Sequence, residues 1–307
     1  MEKHDELFEA LGTLTHDPLA FVYFAYPWGE PGTPLENMEG PDEWQIQILK
    51  DIGEQLKKGK DLQTAIQEAV ASGHGIGKSA LISWLIHFAI STHENTRGVV
   101  TANTEGQLRT KTWPELSKWH NMFIAKDLFT YTATAIFSSD KDYEKTWRID
   151  AIPWSKNSPE SFAGLHNQGN RILVLFDEAS AIDDVIWEVT EGALTDANTE
   201  IIWCAFGNPT RNSGRFRECF RKYRKFWNTY QIDSRTVKIS NKAKIEEWLE
   251  AYGEDSDFFK VRVRGVFPSA SDLQFISTEI ADKAQKQSYK PGAFEHLPVI
   301  IGVDPAW

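Results

Sequence analysis

Ser72-Gly73-His74-Gly75-Ile76-Gly77-Lys78-Ser79 is where this chain concentrates residue types able to handle a phosphate. Binding a polyphosphate requires several backbone N–H groups to come close to oxygen atoms, and glycines permit both the backbone angles and the approach. A helix starting near Lys78 would add its positive dipole end. Lys78 is then the counter-charge to the β- and γ-phosphates, and the Ser79 hydroxyl a ligand for Mg²⁺. The run follows the pattern G-x-x-x-x-G-K-[ST] except that Ser72 stands at its first position. That is tolerable if the turn needs no positive φ there. The competing reading is a glycine-rich turn between strand and helix that holds no ligand. The expected cofactors are ATP and Mg²⁺.

A second chemical signal is Ile172-Leu173-Val174-Leu175-Phe176 running into Asp177-Glu178. A carboxylate at the end of a buried strand is costly without a partner. With a phosphate loop upstream, Asp177 has one: it would hold Mg²⁺ while Glu178 orients and deprotonates an attacking water. By itself the same run is often only a strand leaving the core.

These groups need elements to bring them together. Residues 66–71 read as a strand because the glycine-rich turn follows at once, and Lys78 to Ser91 as an apolar helix. Gly98 to Ala102 reads as a strand, and Ile172 to Phe176 and Ile201 to Phe206 as strands buried on both faces. Thr104 to about Trp119 is expected to be mostly helical, disturbed by Pro114, and Trp44 to about Lys58 helical with Trp44, Ile48, Leu49 and Ile52 on one side. Residues 132–138 and 146–152 look extended, residues 212–290 more helical, and Tyr26 to Gly32 is turn chemistry. The alternation predicts an α/β fold: a P-loop NTPase with a mostly parallel central sheet covered by helices, plus a small helical subdomain. The expected organisation is a lead-in over 1–43, a P-loop ATPase core over 44–240, a helical subdomain and linker over 241–297, and a last strand within 298–307.

Composition sets outer limits. A chain of 307 residues with 41% hydrophobic residues, 12 Trp and 18 Phe can build a sizeable α/β core. Its 33 basic and 44 acidic residues give a net charge of −11, so any nucleic-acid contact must come from a local basic patch. One such window is Arg211, Arg215, Arg217, Arg221, Lys222, Arg224 and Lys225. Phe216, Phe220 and Tyr223 are interleaved at helical spacing, which predicts aromatics inward and charges outward. The window is a candidate for DNA-backbone contact, or for contact with a neighbouring ATP, against the plainer reading of a solvated face. Cys204 and Cys219 lack metal-cluster spacing and read as reduced thiols in a cytosolic setting. The N-terminus is too charged for a signal peptide, and the longest apolar run, Ala80 to Ile90, is too short to span a membrane.

In order along the chain, these motifs resemble the large terminase subunits of tailed bacteriophages. Trp44-Gln45 looks like the family's adenine-reading segment, with Gln45 the candidate. Val100 to Glu105 looks like the strand and turn after the first crossover helix, and Ser161 to His166 like the segment before the Asp-Glu strand. Phe206-Gly207-Asn208-Pro209-Thr210 resembles the coupling motif, in which Asn208 would sense the γ-phosphate. Val263 to Pro268, followed by Ile301 to Pro305, resembles the junction into an RNase H-like nuclease. There Asp304 would be a nuclease metal ligand in a C-terminally extended chain, and endonuclease activity is expected only in that longer form. The resemblance implies an ATP-hydrolysing motor that drives double-stranded viral DNA into a procapsid in the host cell cytoplasm. Implied partners are a terminase small subunit, the capsid portal and further copies in a homo-oligomeric ring. Some relatives carry an early basic residue in the loop, where this chain has His74, or an arginine where it has Ala163. Arg171 and Arg211 are therefore the candidates for an arginine acting across subunits. The alternatives are a helicase-like DNA translocase, for which no second motor domain is visible after residue 212, and a nucleotide-gated DNA-binding scaffold, against which Glu178 argues.

Overall fold

In the computed structural model, residues 2–58, 64–102, 104–154, 165–196, 198–269 and 278–288 are described. The apolar runs become the middle of one sheet. Its strands are β1 (Ile66–Ser72), β2 (Arg97–Thr101), β3 (Phe129–Tyr131), β4 (Ala135–Ser138), β5 (Arg148–Ala151), β6 (Arg171–Phe176), β7 (Glu200–Gly207) and β8 (Asn228–Ile232). The spatial order is β3-β4-β5-β2-β6-β7-β1-β8. The ladders joining β5, β2, β6, β7, β1 and β8 are parallel, whereas β3–β4 and β4–β5 are antiparallel. The α/β reading with a mostly parallel sheet therefore holds.

Side chains on a strand alternate between faces. Leu173, Leu175, Ile202, Cys204 and Phe206 pack into one hydrophobic layer. Ile172, Val174, Phe176, Ile201, Trp203 and Ala205 pack into the other. Burial on both faces is why β6 and β7 read as continuous apolar runs. On the first face lie α1 (Glu2–Thr13), α2 (Pro18–Ala25), α3 (Glu43–Leu56) and α4 (Lys78–Thr92). After β2 and the short α5 (Glu105–Gln107), a π-helical turn Leu108–Thr112 and α6 (Trp113–Met122) also contribute to that layer. The second face is covered by α7 (Asp184–Ala193) and α8 (Arg215–Cys219). A small third cluster, Ile245, Phe259 and Val263, ties α9 (Lys242–Tyr252) to α10 (Asp257–Phe259) and to a second π-helical turn, Lys260–Arg264.

The lead-in holds two helices, α1 and α2, which pack on α4 with Leu11, Phe21 and Val22 fully buried, and the turns expected over Tyr26 to Gly32 follow α2. The region after residue 212 is not simply helical, because β8 joins the main sheet. It is an edge strand with little of its surface buried, so its sequence, Asn-Thr-Tyr-Gln-Ile, carries no apolar run. β3 adds an edge strand at the opposite side.

The chain divides into compact units Met1–Pro268 and Ser269–Trp307. In the second, helix α11 spans Thr278–Gln285. Ser161 to Gly164, Asn103, residues 298–307 and Asp304 lie outside the described residues. Among the described residues, no helix is long and apolar enough to cross a membrane.

Candidate functional site

α4 leaves β1 toward the first face of the sheet, whereas the chain leaving the neighbouring β7 crosses the second face through α8. Adjacent parallel strands whose connections part in this way open a crevice at their carboxyl ends. In-register pairing puts Ala71 opposite Gly207, Phe176 opposite Ala205 and Thr101 opposite Phe176, so β1, β7, β6 and β2 all end at one edge. The phosphate loop, Asn208 and the Asp177-Glu178 pair therefore meet there.

Gly75 and Gly77 carry positive φ, 68° and 87°, and Gly77 turns the chain into α4 with Lys78 as the first helical residue. Ser72 sits inside the end of β1, fully buried, and needs no left-handed backbone. Its deviation from glycine costs nothing there. A Cβ on Gly73 would meet the Ser234 hydroxyl at 2.2 Å and the Val263 carbonyl at 2.3 Å, so only glycine fits. The loop is clasped from beyond β8: Gly73 N–H donates to the Ile232 carbonyl (3.1 Å), His74 N–H to the Arg262 carbonyl (2.8 Å), and Ser234 Oγ to the His74 carbonyl (2.9 Å).

The Lys78 ammonium folds back on Ser72 Oγ (3.1 Å) and the Gly73 carbonyl (3.4 Å). Burial lowers its pKa, and the Glu178 and Asp177 carboxylates oppose that. His74 is held neutral at pH 7: desolvation first, then the charges of Lys78, Arg262 and Lys111, pull its pKa down to about 4. Positive charge beside the loop thus comes from Lys78, Lys111 and Arg262 rather than from His74.

Asp177 is buried, and its carboxylate is gripped on both oxygens. Glu178 N–H donates to Oδ1 (3.0 Å), and Thr112 Oγ1 donates to Oδ2 (2.6 Å). Burial raises its pKa, opposed by the Thr112 hydroxyl; Glu178 adds to the rise and Lys78 opposes it. Glu178 adopts the left-handed conformation, φ 52° and ψ 43°. A residue with a Cβ there carries about 1–2 kcal/mol of strain. That turn lets Ala179 start a new element while the Glu178 side chain faces the cleft.

Asn208, 2% exposed, donates from Nδ2 to the Ser72 carbonyl at 2.6 Å and so stitches the end of β7 to the start of the loop. Gln45 is engaged at both ends of its amide: Oε1 accepts from Asp42 N–H (2.8 Å), and Nε2 donates to the Gly77 carbonyl (3.1 Å). It therefore bolts the start of α3 to the loop, leaving one N–H and one lone pair for another group. A cleft of about 880 Å³ runs past Gln45, His74 to Ala80, Glu178 and Asn208. Apolar side chains of Met38, Ile46 and Ile239 line it as well.

The arginine candidates separate. Arg171 is excluded from reaching another subunit, because it is fully buried and spent on Glu200 (2.7 Å), Thr92 Oγ1 (2.9 Å) and the Thr15 carbonyl (2.7 Å). It also begins β6, whose far end carries Asp177 roughly 20 Å away. Arg211 is exposed, and its backbone N–H is anchored on Ser180 Oγ (3.2 Å), just beyond Glu178. The basic window does not point outward as a whole. Arg215 pairs with Glu191 and stacks on Tyr223 at 3.6 Å, and Arg217 lies over Phe267 at 4.4 Å. Arg221, Lys222, Arg224 and Lys225 are exposed.

The sequence reading missed Thr112, Ser234, Lys111 and Arg262. None belongs to a recognisable motif. The one signal available for Thr112 was Pro114, which marks a disturbed helix at that point.

A curated relative, the probable terminase large subunit of Enterobacteria phage P7, is 25% identical over 236 residues, covering 72% of this chain and 46% of the relative. The chain thus spans less than half the length of the curated relative it matches. Among solved structures, the large terminase of the thermophilic bacteriophage D6E in complex with ADP superposes with a TM-score of 0.54 at 13% identity, over 75% of this chain and 54% of that one. A variant of the large terminase ATPase domain of Thermus phage P74-26 gives 0.51 at 14% identity, over 74% and 94%. No protein-family model matches. The fold is that of the large terminase ATPase domains, and the resemblance to terminase large subunits holds in sequence and in fold.

Proposed function

We propose that this chain is the ATP-hydrolysing motor domain of a viral DNA-packaging terminase, driving double-stranded DNA into a procapsid. The observation that carries the reading is the meeting of Lys78 and Glu178 at one cleft on the carboxyl edge of the sheet, with the buried Asp177 adjoining Glu178 and its charge felt by Lys78. The probable terminase role of the phage P7 relative and the ADP complex of the phage D6E protein support it.

The loop N–H groups and the start of α4 bind the phosphates, and Lys78 swings from Ser72 Oγ and the Gly73 carbonyl onto phosphate oxygens. Mg²⁺, held by Ser79 and Asp177, would neutralise charge on the phosphates. One carboxylate plus a hydroxyl is a donor set that suits an ion completed by substrate oxygens and water. Glu178 holds the attacking water and accepts its proton. Asn208 bridges β7 to the loop through the Ser72 carbonyl, which supports a role in registering loss of the γ-phosphate. The exposed quartet Arg221, Lys222, Arg224 and Lys225 is the DNA-facing candidate, and Arg211 the group offered to a neighbouring copy. Small subunit, portal, a ring of copies and the host cytoplasm complete the setting. Asp304 would serve the nuclease only in the extended protein.

The test is Mg-ATP hydrolysis with and without duplex DNA, beside nucleotide titration of Lys78→Ala. Turnover that responds to duplex is expected. The variant should lose about 10- to 100-fold in ATP affinity, the worth of a charged hydrogen bond or two. Parent-like affinity would remove the phosphate-loop assignment.

A further inference from the structure

We infer that Thr112 is a positioning residue for the metal-binding carboxylate, set in place by the π-helical turn that precedes α6. The inference rests on the proposed Mg-ATP reading and deepens it. Thr112 is 1% exposed and lies 65 residues before the group it touches, donating from Oγ1 to Asp177 Oδ2 at 2.6 Å. The other Asp177 oxygen is occupied by Glu178 N–H (3.0 Å), and Asp177 N–H is tied to the Thr101 carbonyl (2.8 Å). The backbone grip alone leaves the carboxylate free to rotate about its last bond. The Thr112 hydroxyl removes that freedom and sets which lone pairs face the loop.

The turn ends at Thr112, two residues before Pro114. Pro114 lacks an N–H and cannot close an α-helical bond onto the carbonyl of Thr110. The helix instead widens by one residue, and Trp113 N–H bonds the Leu108 carbonyl five positions back. Thr112 is the last residue of that turn and is buried. Neighbours lock it: Trp113 Nε1 donates to the Thr132 carbonyl (2.7 Å), and Tyr131 OH to the Trp113 carbonyl (3.0 Å). A hydroxyl this buried, on a turn braced from both sides, holds its partner with little entropy left to lose.

The experiment is calorimetric titration of ATP into the parent, Thr112→Val and Thr112→Ser proteins, with Mg²⁺ and with chelator, alongside the thermal shift each produces. Valine keeps the shape of threonine and removes the hydroxyl; serine keeps the hydroxyl. Outer partners of metal ligands typically matter by about 10- to 100-fold in metal affinity. Thr112→Val should therefore bind ATP like the parent in chelator and lose about that much of the Mg²⁺-dependent gain, while Thr112→Ser retains it. A valine variant with the full Mg²⁺-dependent gain would overturn the inference. So would equal losses with and without metal, which would mark Thr112 as a packing residue. A parent protein that binds no ATP under either condition overturns the function itself, a result these comparisons separate from a failure at Thr112.

Discussion

Glu178 concentrates the chemistry at the residue scale. Its left-handed backbone is sustained by the bonds around it: Ala181 N–H closes onto the Glu178 carbonyl (3.0 Å), and Glu178 N–H is held by Asp177. A strained acid lining the cleft beside Lys78 fits the proposed role of a positioned base better than that of a surface carboxylate. Glu178→Ala should bind ATP with parent affinity while turning it over about 10²- to 10⁴-fold more slowly, the usual worth of general-base positioning. Pre-steady-state binding and steady-state hydrolysis, measured together, check this. Parent-rate hydrolysis would assign the water to another group. Lys78, in the proposed role, would exchange its bonds to Ser72 Oγ and the Gly73 carbonyl for phosphate oxygens.

At the scale of elements, α3, β1 and β8 are joined by a polar knot around the buried Glu68. The Tyr230 hydroxyl lies 2.6 Å from Asp51 Oδ2 and 2.8 Å from Glu68 Oε2, while Gln55 and Asn228 both donate to Glu68 Oε1 (2.9 and 3.1 Å). One hydroxyl carries one proton, so it cannot serve two ionised carboxylates. Tyr230 donates to Asp51, and Glu68 keeps its own proton and donates to the Tyr230 oxygen. Burial, which dominates, pushes the Glu68 carboxyl from its ordinary 4.5 up to about 8, with the Asp51 charge adding to it. Between those values the folded protein holds a proton that the unfolded chain has released. Stability therefore falls as pH rises across that window, by at most about 1.4 kcal/mol per pH unit from this group. Glu68→Gln keeps every bond of the knot, its amide N–H taking the place of the carboxyl proton. Thermal unfolding between about pH 5 and 8 should show a flatter decline for the glutamine variant. Equal slopes would place Glu68 among ionised groups and the shared proton elsewhere.

Over the whole molecule, the basic window divides into a clamp and an exposed face. Arg215 and Arg217 are used in holding α8 against Glu191 and Phe267, while Arg221, Lys222, Arg224 and Lys225 remain at the surface of an acidic chain. Arg211 is separate from both, exposed on a backbone anchored to Ser180, beside the Glu178 turn. If it completes the site of an adjacent copy, specific ATP turnover should rise with protein concentration. Arg211→Ala should abolish that rise while sparing ATP binding; an arginine supplied in trans is worth about 10³- to 10⁵-fold at its largest. Turnover that is high and flat down to the lowest dilution would mean that one chain holds a complete site.

The sequence by itself determined the parts whose cause is local. Gly75, Gly77 and Lys78 specify a tight turn into a helix, and the apolar run ending in Asp177-Glu178 specifies a strand buried on both faces that delivers acids to its end. Both follow from backbone sterics and the cost of burying charge, acting over a few residues. Tertiary structure alone decided what depends on distant pairs. It drew β8 into the sheet, although little apolar surface marks that strand. It withdrew Arg171 into a buried ion pair at the far end of β6 and left Arg211 at the surface, two fates that an arginine's own neighbours in sequence do not distinguish. It also carried Thr112 to Asp177 and Asn208 to Ser72, across 65 and 136 positions. A hydrogen bond specifies geometry between partners and leaves no periodic trace in either one's surroundings, so such pairings appear only once the chain has closed around them.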